Sequence, residues 1–118
     1  MLSQDTIATI NACRYFGASI SQNNVIIIKG RLPLKVPGDV INVENSGTTL
    51  RLLSSVAALT SKGFSILTGD KSIRQRPMQP LLDALQTLGV RCWSSRLNGF
   101  APIIIEGGGI QGGSSSIL

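Results

Sequence analysis

The chain has 118 residues, enough for one small domain with a real core, and its 42% hydrophobic content is that of an ordinary globular protein. Charged residues make up only 14%, against about a quarter in an average protein, and 13 glycines point to many tight turns and to surface meant to be covered by further protein. A net charge of +5, with basic residues scattered and aromatics scarce, favours small anionic ligands and argues against nucleic acid as a partner; the absence of histidine removes imidazole as base or metal ligand.

Taken in order, Gln4 to Phe16 reads as a helix. Asp5 stands at its start, Ile7, Ile10, Ala12, Cys13 and Phe16 form a rough apolar face, and Gly17 ends it. Ala18 to Ser21 and Val25 to Lys29 read as two short strands around Gln22-Asn23-Asn24. Gly30 to Gly38 is a connector with two prolines, and Val40 to Val43 is a strand. Thr48 to Thr60 is a helix apolar almost all round, the pattern of a buried element. Phe64 to Leu67 is a strand, and Pro77, suited to a first helical position, opens a helix to Leu88 that Gly89 terminates. Strands follow at Val90 to Ser94 and Pro102 to Glu106, then a glycine- and serine-rich tail from Gly107 to Leu118. Cys13 and Cys92 are too far apart for a metal spacing and read as core thiols. No apolar run reaches the roughly 18 residues that span a membrane, and no signal peptide is recognisable, so a cytoplasmic setting is expected.

Helix, terminal glycine, strand, turn, strand and glycine occur twice. Ile10 to Ala18 lines up with Leu82 to Val90, and Ile26 to Gly30 lines up with Ile103 to Gly107. The expectation is an α/β (α+β) chain built on a repeated unit of about 70 residues, with repeat one over about 5–76 and a truncated repeat two over about 77–118.

Two stretches carry chemistry. In Asn45-Ser46-Gly47-Thr48-Thr49-Leu50-Arg51, Asn45 or Ser46 can cap the helix, Gly47 admits close approach to the backbone, and the free first-turn amides attract anions. Arg51 opposes the helix dipole at a cost of a few tenths to about 1 kcal/mol, so something negative belongs nearby: a carboxylate such as Glu44, or a bound phosphate or carboxylate. Lys71, Arg74 and Arg76 crowd a second helix start; one such loop is ordinarily solvated surface, but two in one chain point to a shared anion site if the preceding strands are neighbours. Gly107, Gly109 and Gly112 fit a dinucleotide spacing with no helix after it, and the heptapeptide lacks the lysine and spacing of a P-loop.

The heptapeptide resembles the N-[SA]-G-T-x-x-R motif of the 5-enolpyruvylshikimate-3-phosphate synthases. Arg74-Gln75-Arg76-Pro77-Met78 and the leucine-rich helix after it resemble that family's R-P-[MI] segment. Asp5-Thr6 is similar to the acidic start of an earlier family helix, and Gly107-Gly108 to Gly112-Gly113 to its glycine-rich turns. The likeness covers essentially the whole chain. It implies repeated βαβαββ units, about one and a half of them here. It also implies transfer of the enolpyruvyl group of phosphoenolpyruvate to the 5-hydroxyl of shikimate 3-phosphate, with no cofactor and no metal. By the same likeness, Asn45, Gly47, Thr48, Arg51 and Arg76 bind phosphoenolpyruvate, and Asp5 and Asn45 stand at the reacting centre.

The family's early lysine-serine motif, its Ser-Ser-Gln motif and its whole second half are missing. The expected partners are therefore the two anionic substrates and the remainder of the same enzyme, with neither nucleic acid nor membrane. The 118-residue piece is expected to show no turnover and at best weak anion binding; robust phosphate release in a steady-state assay would refute this. Two alternatives stand: the sister transferase acting on UDP-N-acetylglucosamine, and a non-catalytic scaffold whose arginines are neutralised by Asp70, Glu44 or Asp5.

Overall fold

The computed structural model describes residues 3–23, 25–30, 32–110 and 112–115. Asn24 of the expected first turn, and Gln111 and 116–118 of the tail, lie outside the described residues. In chain order the elements are α1 (Gln4–Tyr15), β1 (Ser19–Gln22), β2 (Ile26–Lys29), β3 (Ile41–Asn42), α2 (Gly47–Ala57), β4 (Phe64–Thr68), a 3-10 turn (Ile73–Gln75), α3 (Gln79–Thr87), β5 (Cys92–Ser94) and β6 (Ile103–Glu106). This is the mixed helix-and-sheet class expected from the sequence.

β1 and β2 form an antiparallel hairpin of their own, while the other strands make a four-stranded sheet in the order β3-β4-β6-β5. Only β3 and β4 are parallel, with Ile41 opposite Leu67 and Asn42 opposite Thr68. The run β3-α2-β4-α3-β5-β6 is therefore one βαβαββ sequence closed by its own sheet, and α1-β1-β2 before it has the order of α3-β5-β6. The four-stranded sheet begins at β3, while the helix-glycine-strand likeness begins at α1.

The core lies between this sheet and the helices. Leu50, Leu53 and Ala57 of α2 meet Leu82 and Leu85 of α3 over Ile41, Leu67, Ile103 and Ile105 of the sheet. Cys92 belongs to this core; its thiol donates to Leu82 O at 3.6 Å, and burial pushes its pKa up to about 11. Cys13 is half-buried, and burial raises its pKa as well. Both thiols are thus protonated near neutral pH, which suits packing and not nucleophilic chemistry.

Three local readings are corrected. α2 ends at Ala57, short of the expected Thr60, and is not buried all round: Leu52 is 64% exposed, because the opposite side packs on α1 and the sheet and nothing described covers this one, and Leu59 in the turn after it is 50% exposed. Ile7 is exposed, while α1 buries Ala8, Ile10 and Ala12. Pro77 precedes α3, which starts at Gln79 with Pro80 in its first turn. Pro77 acts backward: a proline disfavours helical backbone in the residue before it, and Arg76 is extended at φ −90°, ψ 131°.

Candidate anion-binding site

The site is assembled at the carboxyl ends of the parallel pair β3 and β4, the edge at which open α/β sheets place their ligands. From β3 the chain makes a tight turn into α2. Asn42 Oδ1 accepts from Glu44 N at 2.9 Å, Ser46 N donates to Val43 O at 3.0 Å, and Glu44 adopts φ 56°. That left-handed conformation is uncommon for glutamate. It is held from both sides, because Glu44 O also accepts from Asp70 N at 2.8 Å.

This last bond joins the two loops. Gly69 is required for it, since a Cβ there would stand 2.7 Å from Glu44 O and 2.6 Å from the Ile73 side chain. Beyond Gly69, Asp70 Oδ1 accepts from Ser72 Oγ at 2.7 Å and from Ile73 N at 3.1 Å. These bonds start the 3-10 turn that the sequence did not disclose. They hold the Asp70 carboxyl below its ordinary 3.8, with Arg74 as the weakest contributor. A depressed folded-state pKa contributes stability that is present above 3.8 and lost as pH falls through the folded value. The protection of the Ile73 amide against hydrogen exchange, taken relative to its intrinsic rate at each pH, should accordingly fall on acidification below about pH 4, and Asp70→Ala should remove that pH dependence at Ile73.

Ser46, not Asn45, caps α2: its Oγ accepts from Thr49 N at 3.2 Å, while Asn45 is exposed in the turn before it. Leu50 N is taken by Ser46 O. The Gly47 and Thr48 amides have no partner among the described residues, so two first-turn donors remain open. Arg76 lies directly on Gly47: a Cβ at Gly47 would overlap Arg76 Nη1 and sit 3.1 Å from its Cζ. Arg51 follows Gly47 by four residues, hence one turn along the same helix face.

The arginines were expected each at the mouth of its own helix. Arg76 instead stands three residues ahead of α3 and serves the start of α2, and Arg51 is a full turn inside α2, where opposition from the dipole has mostly faded. Both are thus associated with α2 and neither with α3. Neither is neutralised: among the described residues the one ion pair is Arg91–Glu106 at 2.9 Å, elsewhere on the sheet. Lys71 and Arg74 are likewise exposed and free of carboxylate partners.

Asp5 approaches from α1. Its helix start and that of α2 share a cleft of about 460 Å3 lined by Asp5, Thr9, Ser46, Thr48 and Thr49 on the polar side and by Ile26 and Ile28 of β2 on the apolar side. Asp5 and Thr48 are thus brought together, whereas Asn45, Arg51 and Arg76 stand outside this cleft. Sequence reasoning missed Thr9 and Thr49. The available signal was Thr9's position one turn after Asp5 on the same helix face. A larger cleft of about 560 Å3, between Arg14, Tyr15 and Glu44, holds none of the other motif residues.

A family profile described as EPSP synthase (3-phosphoshikimate 1-carboxyvinyltransferase) matches residues 1–117. The chain is 51% identical over 118 residues to the 3-phosphoshikimate 1-carboxyvinyltransferase of Methanothermobacter thermautotrophicus, covering 99% of this chain and 28% of that protein. It is 50% identical over 111 residues to the protein of that name from Methanocaldococcus jannaschii, covering 92% and 26%. A solved structure of EPSP synthase from Acinetobacter baumannii superposes with a TM-score of 0.82 at 33% identity, over 92% of this chain and 25% of that one. The chain thus spans about a quarter of the length of the relatives it matches. With the match running along nearly the whole chain, the protein belongs to the EPSP synthase (3-phosphoshikimate 1-carboxyvinyltransferase) family.

Proposed function

We propose that this chain supplies the phosphoenolpyruvate-gripping part of an enzyme that transfers the enolpyruvyl group to the 5-hydroxyl of shikimate 3-phosphate in the cytoplasm. The observation that carries the proposal is the Arg76 guanidinium laid against Gly47 at the open, positively polarised end of α2, with Arg51 one turn along and no carboxylate on either. Guanidinium groups grip phosphate and carboxylate through paired parallel hydrogen bonds, and phosphoenolpyruvate carries both anions. The open Gly47 and Thr48 amides add donors at the same point. Asp5, across the cleft from Thr48, and Asn45, in the turn beside that cleft, are the residues assigned to the reacting centre by this reading. Preset cations stabilise the charge that moves as the enol ether forms and phosphate leaves.

The remainder of the enzyme is the partner this chain needs. Ile26, Ile27 and Ile28 of β2 are 46%, 50% and 65% exposed, whereas their repeat counterparts Ile103 and Ile105 are fully buried in a strand paired on both sides. Further units of the same kind would cover β2, the outward Leu52 of α2 and Leu59 just after it, and closing the two halves would exclude water from the intermediate. The scaffold alternative required Asp70, Glu44 or Asp5 to neutralise the arginines; Asp70 is committed to Ser72 and Ile73, and none of the three makes an ion pair among the described residues.

The test is a calorimetric titration of the chain with phosphoenolpyruvate, repeated for Arg51→Met and Arg76→Met. Weak binding abolished by either change supports the proposal. Binding unaltered by both would refute it.

A further inference from the structure

The first turns of α1 and α2 are tied by hydroxyls whose direction is determined. Thr9 Oγ1 donates to Asp5 O at 2.9 Å. A threonine hydroxyl has one proton, so in its 2.8 Å contact with Thr49 Oγ1, Thr9 accepts and Thr49 donates. Ser46 Oγ in turn donates to Thr49 Oγ1 at 2.5 Å while accepting from Thr49 N. The chain Ser46 to Thr49 to Thr9 to Asp5 O therefore spends each hydroxyl proton once. It links residues 40 apart in sequence, and Ser46 and Thr49 are buried at 2% and 4% exposure.

Capping α2 needs only Ser46 Oγ and Thr49 N. The two threonine hydroxyls go further, and a valine of the same shape would fill their space without the bonds. Their ends are the Asp5 carbonyl on α1 and the cap beneath the open Gly47 and Thr48 amides on α2. We infer that Thr9 and Thr49 are positioning residues that set Asp5 relative to the anion-gripping turn, so that an anion seated on Gly47 and Thr48 is registered at Asp5. The inference rests on the function proposed above for that turn. Thr9 is exposed on α1 while its partner Thr49 is buried; hydroxyls hydrogen-bonded in series couple as a network, so loss of either threonine hydroxyl breaks the tie.

The experiment uses the isotopically labelled chain and its backbone amide resonances, in two arms. Without ligand, Thr49→Val is expected to shift the amides of Asp5 to Thr9, and Thr9→Val those of Ser46 to Thr49, while Thr49→Ser, which keeps the hydroxyl, leaves the α1 amides in place. With phosphoenolpyruvate added, Gly47, Thr48 and Asp5 are expected to respond in the unsubstituted chain. In both valine variants Gly47 and Thr48 should still respond and the Asp5 response should be lost, with Thr49→Ser restoring it. A merely structural role would not separate the two responses. An Asp5 response that persists in both valine variants, or a serine variant that behaves as valine does, would overturn the inference. If phosphoenolpyruvate moves neither Gly47 nor Thr48 in the unsubstituted chain, the proposed function is what fails. The ligand-free arm then decides the tie alone: reciprocal shifts uphold it and their absence overturns it.

Discussion

Gly47→Ala is expected to weaken phosphoenolpyruvate binding by roughly ten- to a hundredfold, the loss that goes with about 1.5–3 kcal/mol for hydrogen bonds to a charged group. The reason is steric and local. A methyl group on residue 47 would occupy the place of Arg76 Nη1, so the guanidinium must leave the face of α2. The fold should not suffer. Gly47 is the first residue of α2 and does not carry a positive φ, so alanine fits its backbone and reduces the freedom of the unfolded chain, worth about 0.4–1 kcal/mol. The displaced atoms are the far end of a flexible side chain. Stability and binding should therefore move in opposite directions. Calorimetric titration beside a thermal melt reads both, and a variant with reduced Tm and unchanged affinity would contradict the placement of Arg76.

The second large effect concerns the scaffold. Leu82→Ala should destabilise the chain by about 2–5 kcal/mol, a large part of the ~5–15 kcal/mol that holds a domain together. Leu82 is fully buried on the inner face of α3, against the sheet strands and beside Cys92, whose thiol bonds to its carbonyl. Leu52→Ala is the matching control: at 64% exposure it should stay within about 0.5 kcal/mol. Urea unfolding measures both, and equal midpoints for the two variants would contradict the position of the core.

Much of the scaffold was legible because it is written in short-range pattern. Leucine spacing marked α3, the terminal glycines Gly17 and Gly89 end their helices with positive φ, and the repeated Ile-Ile-Ile runs became β2 and β6. What failed to show depends on partners distant in sequence. The exposure of Leu52 and Leu59 is decided by what packs on α2, and an apolar helix looks the same whether covered or waiting for cover. Pro77 fitted a helix start, yet its stronger effect fell on the backbone of Arg76. The two arginines were recognisable as unusual cations, but the placement of Arg76 against Gly47 follows from β3 and β4 being parallel neighbours, a register no local motif encodes. The Thr9–Thr49 contact is hidden for the same reason, and Ser46 prevailed over Asn45 as cap because the turn buries one and exposes the other.

The most direct test of the central claim is a crystal structure of the chain soaked in phosphoenolpyruvate. The expected result is one anion at the start of α2, with the guanidinium groups of both Arg51 and Arg76 within about 3 Å of its oxygens and the Gly47 and Thr48 amides directed at it. An anion bound away from α2, or held there by one arginine while the other turns to a protein carboxylate, would contradict it.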